Sequence, residues 1–280
     1  MARQQLSTAD IQVRLDELLW YHTIDVVPGA TTRGWWDLRH SLDIVPFPDV
    51  RGKRCLDIGT WDGFYAYEME RRGAAEVVAI DVADLSQLDY PPEFRRAPGQ
   101  APGDAESQPR RAGFELLHEI LNSSVTWRDI NIYDLDPAVI GQFDVVVIGS
   151  LLVHLRDPVR ALDAVRRVTR GQMLSMDYVH PRLNLLSRRR PLFELRATGA
   201  DFQWWMASDA GLRHMLWVSG FEILESSPAY LLRPGPWAGN REINHNTRRE
   251  LGRRVLSWVF SGDATAGGHL HRAHLTRPRF

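Results

Sequence analysis

The chain has 280 residues, with 34 Lys and Arg against 35 Asp and Glu and 44% hydrophobic residues. That near-neutral, apolar-rich balance excludes a disordered tail protein and a membrane bundle. No stretch of roughly 18 apolar residues occurs, and the first ten residues lack the basic and apolar blocks of a signal peptide, so a soluble cytoplasmic protein with no membrane span is expected. The single cysteine, Cys55, excludes an intrachain disulfide and a multi-cysteine zinc site, fits a reducing compartment and leaves no structural metal expected. Lys53 is the only lysine, a compositional bias without functional weight.

Taken in chain order, residues 7–22 carry Ile11, Leu15, Leu18 and Leu19 at helical spacing behind a Ser7-x-x-Asp10 capping signature, which predicts a covering helix. With the Trp-rich stretch that follows, residues 1–50 form an N-terminal cover. From residue 51, short β-branched runs alternate with helical stretches, the pattern of a parallel sheet with crossover helices. Strands are predicted at 54–58, 76–81, 125–128, 143–148 and 172–178, with helices at 64–72, 113–122 and 158–169 between them. Asp157-Pro158 opens the last of these with an acidic cap before a proline. Residues 91–113 hold five prolines and three glycines and read as a mobile loop. A helix at 207–219 and a strand at 221–232 complete a core spanning 51–232. Residues 233–280 read as a basic insertion, with a helix at 247–260 and a final strand at 269–279. The fold class is α/β, with helices on both faces of the sheet, an N-terminal helical cover and an insertion before the last strand.

The chemistry concentrates in Cys55-Leu56-Asp57-Ile58-Gly59-Thr60-Trp61-Asp62-Gly63-Phe64, a strand that runs through a glycine-bearing turn into a helix. Gly59 and Gly63 let the backbone approach a ligand, and the helix start directs unpaired N–H groups into the same crevice. The next strand ends in Asp81, where a carboxylate can accept bonds from both hydroxyls of a ribose. An NAD-dependent oxidoreductase shares this logic but expects G-x-G-x-x-G, whereas Gly59 and Gly63 stand four apart behind an acid.

Leu56 to Gly63 and the acidic strand end Ala79-Ile80-Asp81 resemble the first two motifs of the class I S-adenosyl-L-methionine (SAM) dependent methyltransferases. The resemblance covers roughly residues 51–178. It implies a Rossmann-like, seven-stranded, mostly parallel sheet. In it Asp57 and Gly59 approach the methionine part, Asp81 holds the ribose, and the turn at Asn131 and Ile132 meets the adenine. Thr60, Trp61, Gly63, Val82 and Gly149 complete the implied cofactor set. Trp61 stands where the family has its second glycine, so its indole needs space above the turn or must point outward.

The flanks are similar to the subfamily that includes the enzyme modifying the wobble uridine of tRNA. They are Trp20-Tyr21-His22-Thr23-Ile24-Asp25, Thr32-Arg33-Gly34-Trp35-Trp36-Asp37 and Leu151-Leu152-Val153-His154-Leu155-Arg156-Asp157-Pro158. That enzyme grips the extra carboxylate of a carboxylated SAM with a lysine and a tyrosine. Trp35 and Val153 occupy those positions here, which favours ordinary SAM, because a buried carboxylate would have no partner at either position.

His154 follows the fourth strand at the carboxyl edge, where it can take a proton from a methyl acceptor or serve as a hydrogen-bonded packing residue. Tyr21 and His22 read either as a lid or as part of a packed cover. Trp35-Trp36 and Trp204-Trp205 suggest stacking on nucleic acid, but adjacent strand residues face opposite ways, so each pair is expected to put one ring in the core and one near the pocket. The tail from residue 233 has nine arginines and three acids, enough to hold an RNA backbone or to dock on the acidic body; docking is the expectation. The sequence therefore favours a SAM-dependent methyltransferase acting on a small or lipophilic metabolite. A tRNA-uridine (carboxy)methyltransferase and a catalytically silent SAM-binding partner are the alternatives, and the oligomeric state is left open.

Overall fold

A computed structural model describes residues 6–92, 108–197, 203–237 and 269–280. Helix α1 (Thr8–Asp16) starts behind Ser7, whose hydroxyl accepts from the Asp10 N–H at 3.2 Å while the Asp10 carboxylate accepts from the Ser7 N–H, also at 3.2 Å. The helix does not continue to residue 22. The chain turns instead into four short strands, β1 (Trp20–His22), β2 (Asp25–Val27), β3 (Ala30–Thr31) and β4 (Gly34–Asp37). Aromatic and β-branched residues dominate here and favour a pleated surface. Their backbone is also claimed from outside: β1 pairs in parallel with β4, and the Asp62 carboxylate accepts the N–H groups of Tyr21 and His22 at 2.7 and 2.8 Å.

The centre follows the sequence pattern closely: β5 (Arg54–Ile58), α2 (Phe64–Arg71), β6 (Glu76–Asp81), α3 (Ala112–Leu121), β7 (Thr126–Asp129), α4 (Pro137–Ile140), β8 (Phe143–Gly149), α5 (Pro158–Val168) and β9 (Thr169–Tyr178). The Asp157 side chain caps α5 by accepting from the Arg160 N–H at 3.1 Å. Beyond β9 come α6 (Pro181–Leu186), the hairpin β10 (Phe193–Leu195) and β11 (Trp205–Ala207), and α7 (Asp209–Val218). The single strand expected over 221–232 is two, β12 (Phe221–Ser226) and β13 (Tyr230–Pro234), both paired with β14 (His269–Pro278). Pro228 lies in the break and has no N–H to offer a ladder. The helix expected at 247–260 and most of the loop expected at 91–113 lie outside the described residues.

The sheet runs β1-β4-β13-β14-β9-β8-β5-β6-β7, with β12 also on β14. It has ten strands rather than the seven expected, because the strand expected over 221–232 is two and because β13 continues past the core and recruits β4 and β1 from the N-terminal segment. Strands β5 to β9 are parallel and β14 is antiparallel. Both faces of the parallel part are covered, so odd and even positions are alike apolar. Leu56, Ile58, Val146 and Ile148 pack with Leu162 and Val165 of α5, whereas Cys55, Val145 and Val147 pack with Ala66 and Met69 of α2. The strand order reverses between β5 and β8, and there the carboxyl ends of the strands open a crevice.

Candidate functional site

The first wall of the crevice is the turn after β5. Gly59 has φ +73° and Gly63 φ +91°; at Gly63 a side chain would bring its Cβ to 2.5 Å from the Tyr67 ring, so only glycine fits. Between them Trp61 holds φ +47°, a left-handed backbone that costs a non-glycine residue about 1–3 kcal/mol. Asp57 braces the turn from behind: its Oδ2 accepts from the Thr60 hydroxyl at 2.6 Å and the Ala66 N–H at 3.1 Å. Burial pushes its pKa up to about 7 against those two bonds. Asp57, Thr60 and Gly63 therefore shape the turn, while Gly59 and Trp61 line the cavity.

Asp81 ends β6 inside the cavity. Its Oδ2 accepts from the Trp61 N–H at 2.9 Å, and its Oδ1 accepts from the Val82 N–H and from Arg110 Nη2, both at 2.8 Å. Arg110 is 10% exposed, lies 4.1 Å from the centre of the Trp61 ring, and keeps Nε and Nη1 buried without a partner. Tyr21 stacks on Trp61 at 4.7 Å, so the indole is held among side chains that line the cavity.

Toward β7 the cavity is lined by the largely apolar slot of Ile80, Val82, Ile130, Ile132, Tyr133 and Leu155. Asn131 caps the slot's turn, accepting from the Tyr133 N–H at 3.1 Å and donating to the Gln87 carbonyl at 3.3 Å. In the other direction the cavity passes Gly149 and Ser150 and opens into a chamber lined by Trp35, Trp36, Tyr178, Gln203, His269 and His271. His154 faces both parts from a tight turn, Leu152–His154. That turn is seated on Asp177, whose buried carboxylate accepts from the Leu152 N–H at 2.8 Å and whose pKa burial raises to about 7.

The structure thus brings Gly59, Trp61, Asp81, Val82, Asn131, Ile132, Gly149 and His154 to one cavity. Trp36 faces the chamber and meets the edge of His269 at 4.9 Å; Trp35 lines it too, although 39% exposed. Trp36 is only half-buried against the core, so neither pair puts one ring fully in it as expected; Trp204 and Trp205 depart further. Both indoles are partly exposed, and their N–H groups are tied to the carbonyls of Asp89 and Arg156. Sequence reading missed Arg110, Ser150, Tyr178, His269 and His271. A weak signal existed for the last two: His269 and His271 are two apart on a strand, which puts them on one face. Among the described residues no cluster of His, Cys, Asp and Glu is arranged to hold a metal, and no helix is long and apolar enough to cross a membrane.

The methyltransferase domain family matches residues 56–172. A ubiquinone biosynthesis O-methyltransferase from Neisseria meningitidis serogroup C is 32% identical over 138 residues, which are 44% of this chain and 48% of that protein. A tRNA U34 carboxymethyltransferase from Campylobacter hominis is 26% identical over 121 residues, 43% of this chain and 34% of that protein. The chain spans about half the length of the first of these relatives. Among solved structures, the N-terminal domain of EvdMO1 with SAH bound has a TM-score of 0.55 at 15% identity and coverage of 100% of both chains, a likeness of fold.

Proposed function

We propose that this chain, whose residues 56–172 match the methyltransferase-domain family, is a SAM-dependent methyltransferase acting on a small or lipophilic acceptor. One observation carries the reading: a cavity that holds an acid at the end of the second parallel strand adjoins a chamber walled by aromatic rings, with Tyr21, Trp61, Arg110, Ser150 and His154 lining both.

The residues present fit the cofactor. The slot of Ile80, Ile130, Ile132 and Leu155 suits the faces of adenine. Asp81 suits the ribose hydroxyls, one of which would replace the N–H of Arg110. Gly59 and Gly149 leave room where a Cβ would come to 3.0 Å from Leu151 and 2.9 Å from Tyr65. When bound, SAM supplies an electrophilic methyl group on a sulfonium. The chain's own part is to hold the acceptor in line, exclude water behind Tyr21, Trp36 and Leu232, and accept a proton. Cys55, free and buried, fits a cytoplasmic enzyme.

The acceptor is tested by incubating the protein with SAM carrying a trideuterated methyl group and a metabolite extract alongside tRNA. Mass spectrometry is expected to find the label in an organic-extractable small molecule. Label confined to tRNA overturns the choice of acceptor, and the absence of S-adenosylhomocysteine (SAH) formation overturns the activity.

A further inference from the structure

We infer that Ser150 and His271 form the proton-accepting pair of the acceptor chamber, and that the acceptor presents a hydroxyl, or another nucleophile carrying a hydrogen, to Ser150. This rests on the methyl-transfer reading. Ser150 follows β8 at the junction of the two cavity parts, with its N–H donating to the Met176 carbonyl at 2.7 Å. It holds φ +51°, a left-handed backbone that serine rarely adopts and that functional sites often retain. Its Oγ lies 3.0 Å from His271 Nε2.

The direction of that hydrogen bond follows from the other side of the ring. His271 Nδ1 is 2.9 Å from the His269 carbonyl oxygen, which can only accept, so Nδ1 carries the ring hydrogen. In the neutral ring Nε2 is then a lone pair, and Ser150 must donate to it. With its hydrogen committed, the serine hydroxyl turns only lone pairs toward a ligand, and it therefore selects a ligand that donates.

His271 is 3% exposed, and burial drives its pKa down to about 3, which keeps the ring neutral. The titratable groups around it are Tyr178 on β9, Tyr230 on β13 and His269 on its own strand, with ring centres of the two tyrosines 6.1 and 6.0 Å away.

As the acceptor oxygen forms its bond to the methyl carbon, the carbon–sulfur bond breaks. The acceptor's proton passes to Ser150 Oγ, and the serine's own proton passes to His271 Nε2. The products are a methyl ether, the thioether SAH and an imidazolium that returns its proton to water. A weakly basic ring suffices, because an oxygen that is gaining a third bond is a far stronger acid than an imidazolium. Ser150 is the catalytic residue and His271 the positioning residue that draws off its proton. His154, the base expected from the sequence, faces the same chamber.

The test is nitrogen-15 NMR of histidine-labelled protein saturated with SAH, together with turnover read as SAH formed from SAM in the presence of the small-molecule metabolite extract. His271 is expected in the Nδ1–H tautomer and unprotonated from pH 5 to 8, with its Nε2 resonance shifted in Ser150→Gly. That variant relieves the left-handed backbone, so its thermal stability should hold or rise. Its turnover should fall by about 10²–10⁴, the range of general-base catalysis, with the SAH Kd unchanged. His271→Gln should lose turnover likewise. An Nε2–H tautomer, or full turnover in Ser150→Gly, overturns the proposal. Failure of SAH to bind falls on the methyltransferase reading instead, and leaves the tautomer result standing.

Discussion

The two ends of the cavity are built in opposite ways. The turn at the proposed cofactor end is local: Gly59, Trp61, Asp81 and Val82 come from two consecutive parallel strands and their turns, locked by backbone bonds from Gly59 and Thr60 to the Ile80 carbonyl at 2.9 and 3.1 Å. The acceptor end is assembled from afar. Tyr21 and Trp36 come from the N-terminal strands, Tyr178 from β9, and His269 and His271 from the last strand. A local end can keep its chemistry while a distant-contact end is rebuilt around different acceptors, which is how one fold serves many reactions.

The largest effect should separate these ends through Trp20. Its indole is 2% exposed and donates to the Leu15 carbonyl at 2.7 Å, fastening the N-terminal cover. Trp20→Ala should cost about 3–5 kcal/mol in chemical denaturation. If the ends are independent, calorimetry on the folded variant should find SAH affinity within a few-fold of the parent; a parallel loss would merge the two regions.

Next comes Asp81→Asn, which keeps the side-chain shape but removes the charge that is to hold the ribose. Lost bonds at a buried site cost about 1–3 kcal/mol, so SAH affinity should fall tenfold or more by calorimetry. Unchanged affinity would place the ribose elsewhere.

A pH series sharpens the comparison further. Asp57 has its folded pKa raised from 3.8 to about 7, so its contribution to stability is full below the lower value and is lost as pH rises through the higher one. His22 and His271, lowered from 6.5 to about 3 by burial, act oppositely: their contribution is present above 6.5 and lost as pH falls toward 3. Asp57→Asn should remove up to about 1.4 kcal/mol per pH unit of the decline between pH 4 and 7, leaving a shallower melting profile. An unaltered profile would mean that the folded carboxyl is ionised.

The smallest effect belongs to Arg110, whose N–H occupies a position on Asp81 that a ribose hydroxyl would take. Arg110→Met should tighten SAH binding by about 1 kcal/mol, the net worth of a typical hydrogen bond. Weaker binding would show instead that the guanidinium itself grips the cofactor.

The same contrast explains what could be read from the sequence. The ends of β5 and β6, the Ser7 and Asp157 caps and the turn glycines were legible because propensity, capping and spacing act within a few residues. The continuation of β1 and β4 onto β13 was not, because nothing in residues 20–37 states which distant edge they will meet. Arg110 and His271 escaped for the same reason, since the first arginine of the Arg110-Arg111 pair after a proline-rich stretch and a histidine in the last strand acquire meaning only across the crevice. Asp57 was legible as a motif residue, but its bracing role depends on Thr60 and Ala66, contacts that the motif alone does not specify.

The central claim is that this cavity is a SAM site with Asp81 at the ribose, and the crystal structure of the SAH complex tests it most directly. The account predicts adenine between Ile80 and Ile132, both ribose hydroxyls within hydrogen-bond distance of Asp81, Arg110 displaced from that carboxylate, and the sulfur facing Ser150. SAH bound outside this cavity, or bound within it with Arg110 still on Asp81 and the ribose turned away, would contradict it.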